Sequence, residues 1–485
     1  MPNMSCKELV SDFNRYGVTI ISAEMVAASK TVPGHCDIRG MMLPDISFTV
    51  KMPSKWNRRF YMVDDTGPRG SVNHRGMASV LEKGYATAAS DGGIKSYRSL
   101  ACNNRQKKID FGFRAVHETA VTAKEIIEAY YGKPPAFSYF VGASSGGRQA
   151  LMEAQRYPKD FDGIVCGAPV LHLTGIQMWG IWKAMALSGD GFIPREKLPL
   201  LAKAVYEKCD GIDGLEDGLI DDPRKCDFDP EKDLPKCPGD VDGPDCFTSA
   251  QLEALKKIYS DLRNSKGELL FPGQSVGAEI EGQQPMWMGV GEESSGWYGW
   301  IVPSTSPSRY LGFAQDFLKY MAFEEDNPDF DWKSFDFDID PPKMKYIASI
   351  LNATDPDLSA FKAAGGKMIH YHHWADTGVP PLLSINYYEE VLELMGKETM
   401  DFYRLYMVPG AFHGSPGVGC GNVDWFTPLV NWVEKGIAPE EIIGSRIVKS
   451  KVVRTRPLCP YPKVAGYEGK GSIDDASNFN CVEPD

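Results

Sequence analysis

A chain of 485 residues, 43% of them hydrophobic, can bury a sizeable core and is long enough for a catalytic domain carrying an inserted one. Its net charge of -13 gains nothing from counterion release on nucleic acid, which excludes DNA and RNA as expected partners. No apolar run approaches the roughly 20 residues of a membrane helix, so no membrane span is expected.

Short apolar runs alternate with helix-like stretches from about residue 45 to 172. Ile46–Val50, Phe60–Val63 and Tyr85–Ala88 read as strands, and 113–131 as a long amphipathic helix. Ser138–Val141 follows as a strand, Gly146–Tyr157 as a helix and Gly163–Cys166 as another strand. Such alternation predicts an α/β fold, a mostly parallel sheet covered by helices.

Between strand and helix stands Gly142-Ala143-Ser144-Ser145-Gly146, a G-x-S-x-G pattern in the strand-turn-helix context of a nucleophile elbow. The tight turn lifts a serine oxygen out of the sheet beside a helix N-terminus, which favours developing negative charge. Ser144 is the expected nucleophile. Ser145 is its rival, set aside because the glycine spacing centres on Ser144.

From 173 to 344 the chain is rich in Trp, Gly, Pro and Asp and only weakly periodic, so this stretch reads as an inserted lid domain. The core is placed at 1–172 and 345–485. Trp287, Trp297 and Trp300 in the lid are candidates for stacking on an aromatic substrate, with ordinary lid core as the plainer alternative. Residues 209–246 hold thirteen acids against four bases. Asp210-Gly-Ile-Asp213-Gly-Leu-Glu-Asp217 suits a calcium loop and a solvated acidic loop equally on spacing alone.

Strand-helix alternation then resumes. Leu358–Ala364 and Leu382–Met395 read as helices, Lys367–Tyr371 and Phe402–Met407 as strands, and Thr427–Glu434 as the last helix. Asp376 and His413 each follow one of these strands, where catalytic residues of open α/β sheets sit. Histidine has the pKa to take a serine proton, and an aspartate fixes its tautomer. A surface histidine and a helix-capping aspartate are the bland readings of each alone. The order Ser, Asp, His is the one expected of α/β-hydrolases.

There are eleven cysteines and no Cys-x-x-Cys zinc pattern. Cys209–Cys226, Cys237–Cys246 and Cys459–Cys481 form local pairs in loop-like sequence, and Cys6–Cys36 is the fourth expected disulfide. Disulfides favour a secreted or periplasmic protein. The start, Met-Pro-Asn-Met-Ser-Cys, lacks the pattern of a signal peptide, so an intracellular location stays open. Cys102, Cys166 and Cys420 have no assigned partner.

At Gly142–Gly146, Trp374-Ala375-Asp376 and the loop of His413 the sequence resembles the tannase and feruloyl esterase family. Asp110-Phe-Gly-Phe-Arg-Ala-Val-His-Glu, Glu153-Ala-Gln-Arg-Tyr-Pro-Lys-Asp-Phe-Asp-Gly and Gly296-Trp-Tyr-Gly-Trp300 carry the resemblance over nearly the whole chain. It implies an α/β-hydrolase with a lid and a Ser144–Asp376–His413 triad. It implies a structural Ca2+ at Asp210, Asp213, Asp217 and the carbonyls of Leu215 and Leu219, with Cys209–Cys226 beside it and no organic cofactor.

Two departures from the family pattern stand out. A cysteine pair that joins the serine and histidine loops is replaced by Ala143 and Gly414. A glycine run that supplies oxyanion donors is replaced by Val63-Asp64-Asp65-Thr66-Gly67-Pro68-Arg69-Gly70. The expected donors become the N–H of Ser145 and one from Asp64, Asp65 or Thr66, taken as Asp65. The expected function is serine-dependent hydrolysis of a small aromatic ester, such as a feruloyl or galloyl ester. The acidic oxyanion loop motivates the alternative of a C–C hydrolase, lactonase or acyltransferase using the same triad.

Overall fold

The structure, a computed structural model, describes residues 3–30, 32–65, 70–100, 103–279, 296–302 and 309–484. Seven strands come first: β1 (Val18–Val26), β2 (His35–Met42), β3 (Ile46–Pro53), β4 (Arg59–Val63), β5 (Ala86–Ser90), β6 (Phe137–Ala143) and β7 (Gly163–Gly167). A short hairpin, β8 (Leu262–Arg263) and β9 (Leu269–Phe271), lies apart from the main sheet. β10 (Lys367–His373) and β11 (Tyr403–Val408) complete that sheet in the order β1-β2-β3-β5-β4-β6-β7-β10-β11. Two further hairpins follow, β12 (Ile442–Val448) with β13 (Lys451–Leu458), and β14 (Val464–Tyr467) with β15 (Phe479–Val482).

From β5 to β11 every neighbouring pair in the sheet is parallel, while β1, β2 and β3 form an antiparallel edge. This is the α/β architecture expected from the alternation of strands and helices. β5 and β7 are buried at every position, as strands covered on both faces must be. The helices Ala115–Tyr131 and Ser145–Arg156 follow β5 and β6, and Leu382–Met395 and Phe426–Lys435 follow β10 and β11. Gly132, with φ of 72°, ends the first of these in a left-handed cap.

The helix expected from residue 113 has a different start. Asp110–Arg114 forms a π-turn before the α-helix begins at Ala115. Arg148, fully buried, donates to the carbonyls of Phe111 and Gly112 at 2.9 and 2.6 Å. Carbonyls turned toward a guanidinium are lost to the regular helical ladder, and a wider turn results.

Among the described residues, those between β7 and β10 add no strand to the main sheet. They hold the helices Leu173–Ala186, Leu198–Cys209, Ser249–Tyr259 and Arg309–Tyr320. Leu173–Ala186 is buried at most positions around its circumference, so it has no polar stripe to betray a helical period. β1 and β2 were not expected either: their outward positions are a mixture of apolar and polar residues at an exposed edge.

Candidate active site

β6 ends at Ala143 and a helix begins at Ser145, which leaves Ser144 alone in the turn with φ 60° and ψ -117°. For a residue with a Cβ this conformation is strained, typically by about 1–3 kcal/mol, and persists only where its surroundings fix it. The Ser144 N–H donates to Gly167 O at 2.9 Å, and the Ser144 carbonyl accepts from Arg148 and Val170, each at 3.1 Å. The flanking glycines permit the close approach. A Cβ on Gly142 would lie 2.5 Å from Gly146 O, and one on Gly147 would lie 2.4 Å from Gly167 O.

The loops after β10 and β11 bring the other two residues to this turn. His413 Nε2 lies 3.0 Å from Ser144 Oγ, and His413 Nδ1 lies 2.8 Å from Asp376 Oδ2. Asp376 is wholly buried, and its Oδ1 accepts the N–H groups of Gly378 and Val379, both at 2.7 Å. Burial alone would raise this carboxyl. Facing His413 and His372 outweigh it and hold Asp376 well below the usual carboxylate range. Gly378 makes room for the imidazole, since a Cβ there would come within 2.5 Å of His413 Cγ.

Both acids of the loop after β4 are turned into the protein. Asp64 Oδ2 accepts the Ala143 N–H and Oδ1 accepts from Asn73 Nδ2, each at 3.0 Å. The Asp64 carboxyl lies so close to Gly146 that any side chain at 146 would overlap it. Burial pushes Asp64 up to about 7, with the Ala143 N–H pulling it back and the charge of Asp65 adding to the rise. Asp65 is buried, and its Oδ2 accepts from Gln149 Nε2 at 2.7 Å. Neither carboxylate points outward to solvent. Thr66 lies outside the described residues.

The geometry is that of a serine hydrolase, and the sequence itself decides the family. Residues 30–482 match the tannase and feruloyl esterase family.

The chain belongs to that family.

An uncharacterized esterase from Xanthomonas campestris is 34% identical, the match covering 93% of this chain and 85% of that protein. Mono(2-hydroxyethyl) terephthalate hydrolase from Piscinibacter sakaiensis is 31% identical over 96% of this chain and 87% of its own. The crystal structure of feruloyl esterase B from Aspergillus oryzae superposes with a TM-score of 0.86 at 25% identity, covering 99% of this chain and 100% of that one. Members of this family are carboxylic ester hydrolases, and the chain is an enzyme of that class.

In this tannase-family chain, aromatic side chains pack beside His413. Trp300 meets the His413 ring edge-to-face at a centroid distance of 5.3 Å and packs on Tyr310 at 5.2 Å. The Tyr310 hydroxyl donates to the carbonyl of Gly378 in the acid loop. Two more side chains support the same loop: Gln274 donates to Asp376 O, and Thr377 to Gly296 O, each at 3.0 Å. Tyr310 and Gln274 were missed in the sequence because they sit in the weakly periodic stretch with no motif around them. Trp297, by contrast, is fully buried and packs on Tyr259 at 5.5 Å, with its backbone N–H on the Ala278 carbonyl. Trp287 lies outside the described residues.

The acidic loop is folded on its own backbone. Asp210 Oδ1 accepts the N–H groups of Asp217, Gly218 and Leu219 at 3.3, 3.0 and 3.1 Å, and Asp213 Oδ1 accepts that of Leu215 at 3.0 Å. Asp217 Oδ2 faces Arg456 at 2.5 Å and Arg454 at 3.4 Å, both on β13. Asp221 lies beside Asp213 in the same loop. Burial and the charge of neighbouring Asp213 push it up to about 7. Elsewhere among the described residues His117, Glu153 and Asp160 place ligand-type atoms within 4.8 Å of one another. There His117 Nδ1 already lies 2.6 Å from Asp160 Oδ2, and Lys124 donates to the Asp160 carbonyl, so the protein brings its own cation.

All four expected disulfides are formed: Cys6–Cys36, Cys209–Cys226, Cys237–Cys246 and Cys459–Cys481. They point to an oxidising compartment. Cys420 does not replace the missing loop disulfide: it is a buried free thiol, pushed up to about 11 by burial, beneath Gly444 of β12. Cys166 is a buried free thiol too, and its Sγ donates to Gly147 O at 3.3 Å behind the elbow. Cys102 lies outside the described residues. Among the described residues no helix is long and apolar enough to cross a membrane.

Proposed function

We propose that Ser144, His413 and Asp376 hydrolyse an ester of an aromatic carboxylic acid through an acyl-enzyme. The observation that carries this is the single imidazole bridging Ser144 Oγ at 3.0 Å and Asp376 Oδ2 at 2.8 Å. His413 Nε2 takes the serine proton as Oγ adds to the ester carbonyl. The imidazolium, steadied by Asp376, then returns that proton to the leaving alkoxide as the C–O bond breaks. Water attacks the acyl-serine with His413 again as base. The carboxylic acid leaves, Ser144 recovers its proton, and the cycle closes.

The N–H of Ser145, at the start of its helix, and that of Asp65 are the proposed oxyanion donors. Trp300, edge-on to His413, is the proposed contact for the aromatic acyl group. The aromatic-ester reading is supported by relatives that include a terephthalate half-ester hydrolase and feruloyl esterase B. Residues 173–344 are proposed as the lid over a core of 1–172 and 345–485, because they bring Trp300, Tyr310 and Gln274 to the acid loop.

Calcium is proposed as a structural ion of the 210–221 loop. Asp210, Asp213 and Asp217, with the carbonyls of Leu215 and Leu219, are hard oxygen donors on a loop tied by Cys209–Cys226, and Asp221 beside Asp213 adds a further carboxylate. The ion takes no part in the ester chemistry.

The test is turnover of feruloyl, galloyl and terephthaloyl monoesters by the wild type and by Ser144→Ala. Hydrolysis of one of these classes, abolished by the substitution, is expected. Turnover that survives in Ser144→Ala, or none on any aromatic ester, would remove this reading.

A further inference from the structure

The acid loop is backed by buried polar side chains that the reaction does not touch. The Tyr403 hydroxyl lies 2.7 Å from His370 Nδ1, and His370 Nε2 lies 2.8 Å from Ser384 Oγ. Ser384 Oγ is 2.6 Å from His372 Nδ1, and His372 Nε2 is 2.9 Å from Val379 O. Tyr403, His370, Ser384 and His372 are all fully buried.

The direction of each bond follows from its far end. A carbonyl only accepts, so Nε2 of His372 carries a hydrogen. In the neutral ring Nδ1 then holds a lone pair, and Ser384 must donate to it. Ser384 Oγ is left to accept from His370 Nε2, and His370 Nδ1 accepts from the Tyr403 hydroxyl. One anchored carbonyl thereby orders four bonds.

This chain ends on the catalytic acid. His372 Nε2 stands 3.5 Å from Asp376 Oδ2, the same oxygen that faces His413 Nδ1 at 2.8 Å. The residue it pins, Val379, supplies one of the two N–H groups on Asp376 Oδ1 at 2.7 Å. The opposite tautomer would turn a lone pair toward both Val379 O and Asp376 Oδ2, and the repulsion would shift the loop off His413.

We propose that His372 is a positioning residue for Asp376, its Nε2–H tautomer set by the Val379 carbonyl and its ring held in place by the relay of Ser384, His370 and Tyr403. The inference rests on the triad reading given above. It assigns a catalytic consequence to residues that would otherwise be satisfied core.

The experiment is steady-state hydrolysis of an aryl ester by four purified variants, with melting temperatures measured alongside. His372→Leu keeps bulk and loses the donor. His372→Gln keeps an amide donor at the ε position. Ser384→Ala removes the hydroxyl that anchors the ring at Nδ1, with a small change in volume. His372→Leu and Ser384→Ala are expected to lower kcat about tenfold, the upper worth of one hydrogen bond, with KM within about twofold. His372→Gln is expected to recover most of that loss. Wild-type kcat in folded His372→Leu or Ser384→Ala would overturn the proposal, as would a Gln variant as slow as Leu. Ser144→Ala separates the two levels: if it is dead while the His372 and Ser384 variants turn over normally, only the relay fails. If it is active, the triad fails first.

Discussion

Asp64 accepts the amide hydrogen of Ala143, the residue immediately before the nucleophile, at 3.0 Å. The family resemblance implies a cysteine at 143, tied to the histidine loop, and a glycine at 64. Here both are changed, and the new side chain at 64 holds the backbone at 143. A tie from elbow to histidine loop has been exchanged for one from elbow to the β4 loop. The same carboxyl packs on Gly146, so it sits at the turn where charge develops during catalysis.

A pH dependence follows. The Asp64 carboxyl is raised from its ordinary 3.8 to about 7, by burial first. The folded state therefore holds a proton that the unfolded state has lost between these values. That contribution to stability is full below pH 3.8 and is lost as pH rises to about 7. Asp64→Asn should melt higher than the wild type at pH 8, with the difference vanishing near pH 4. Above pH 7 the ionised group also opposes the oxyanion, so the wild type should show a falling limb in kcat that the Asn variant lacks, a difference of about tenfold. Superimposable pH profiles of rate and melting temperature would contradict this role.

Gly378→Ala tests how closely the histidine is fitted. Its φ is not left-handed, so the effect of a methyl is steric: the new Cβ would fall 2.5 Å from His413 Cγ. Displacing the base by about 1 Å should lower kcat about a hundredfold. Circular dichroism and kcat on one preparation check it, and a folded variant with normal kcat would refute the fit.

Trp300→Leu tests the aromatic contact. Leucine preserves apolar packing while removing the ring that meets His413 edge-on. KM for an aromatic ester should rise up to about tenfold, the range of one aromatic pair, with a smaller rise for an aliphatic ester. An equal change for both esters would place Trp300 in the lid core instead.

Much of this was legible in the sequence, and the exceptions have physical causes. Ser144, Asp376 and His413 were readable because each follows a short apolar strand and sits among small residues that only a tight turn requires. Trp297 and Trp300 could not be told apart, since two tryptophans three positions apart on one helical turn carry no sign of which ring faces His413 and which faces Tyr259. Leu173–Ala186 left no periodic signature because nearly all its sides are buried. Asp64 was visible as an anomaly, but its partners, the Ala143 N–H and Asn73, appear only once β4 lies beside β6. The chain from Tyr403 to Val379 was equally hidden, because its members come from β10, β11 and the helix Leu382–Met395.

Metal removal tests the acidic loop. A chelator should lower the melting temperature and added Ca2+ should restore it, while Asp213→Asn should blunt both changes. Because Asp217 ties this loop to Arg456, the loss should extend to the β12–β13 hairpin and be visible as faster amide exchange in β13. A melting temperature indifferent to chelation would mean that the loop is held by its own hydrogen bonds alone.

The most direct test of the catalytic arrangement is covalent. Wild-type protein treated with a fluorophosphonate and digested for peptide mass mapping should carry one adduct, on Ser144, and His413→Ala should label at a small fraction of that rate. An adduct on Ser145, or an active esterase that takes up no label, would mean that the hydroxyl beside His413 is not the one that attacks.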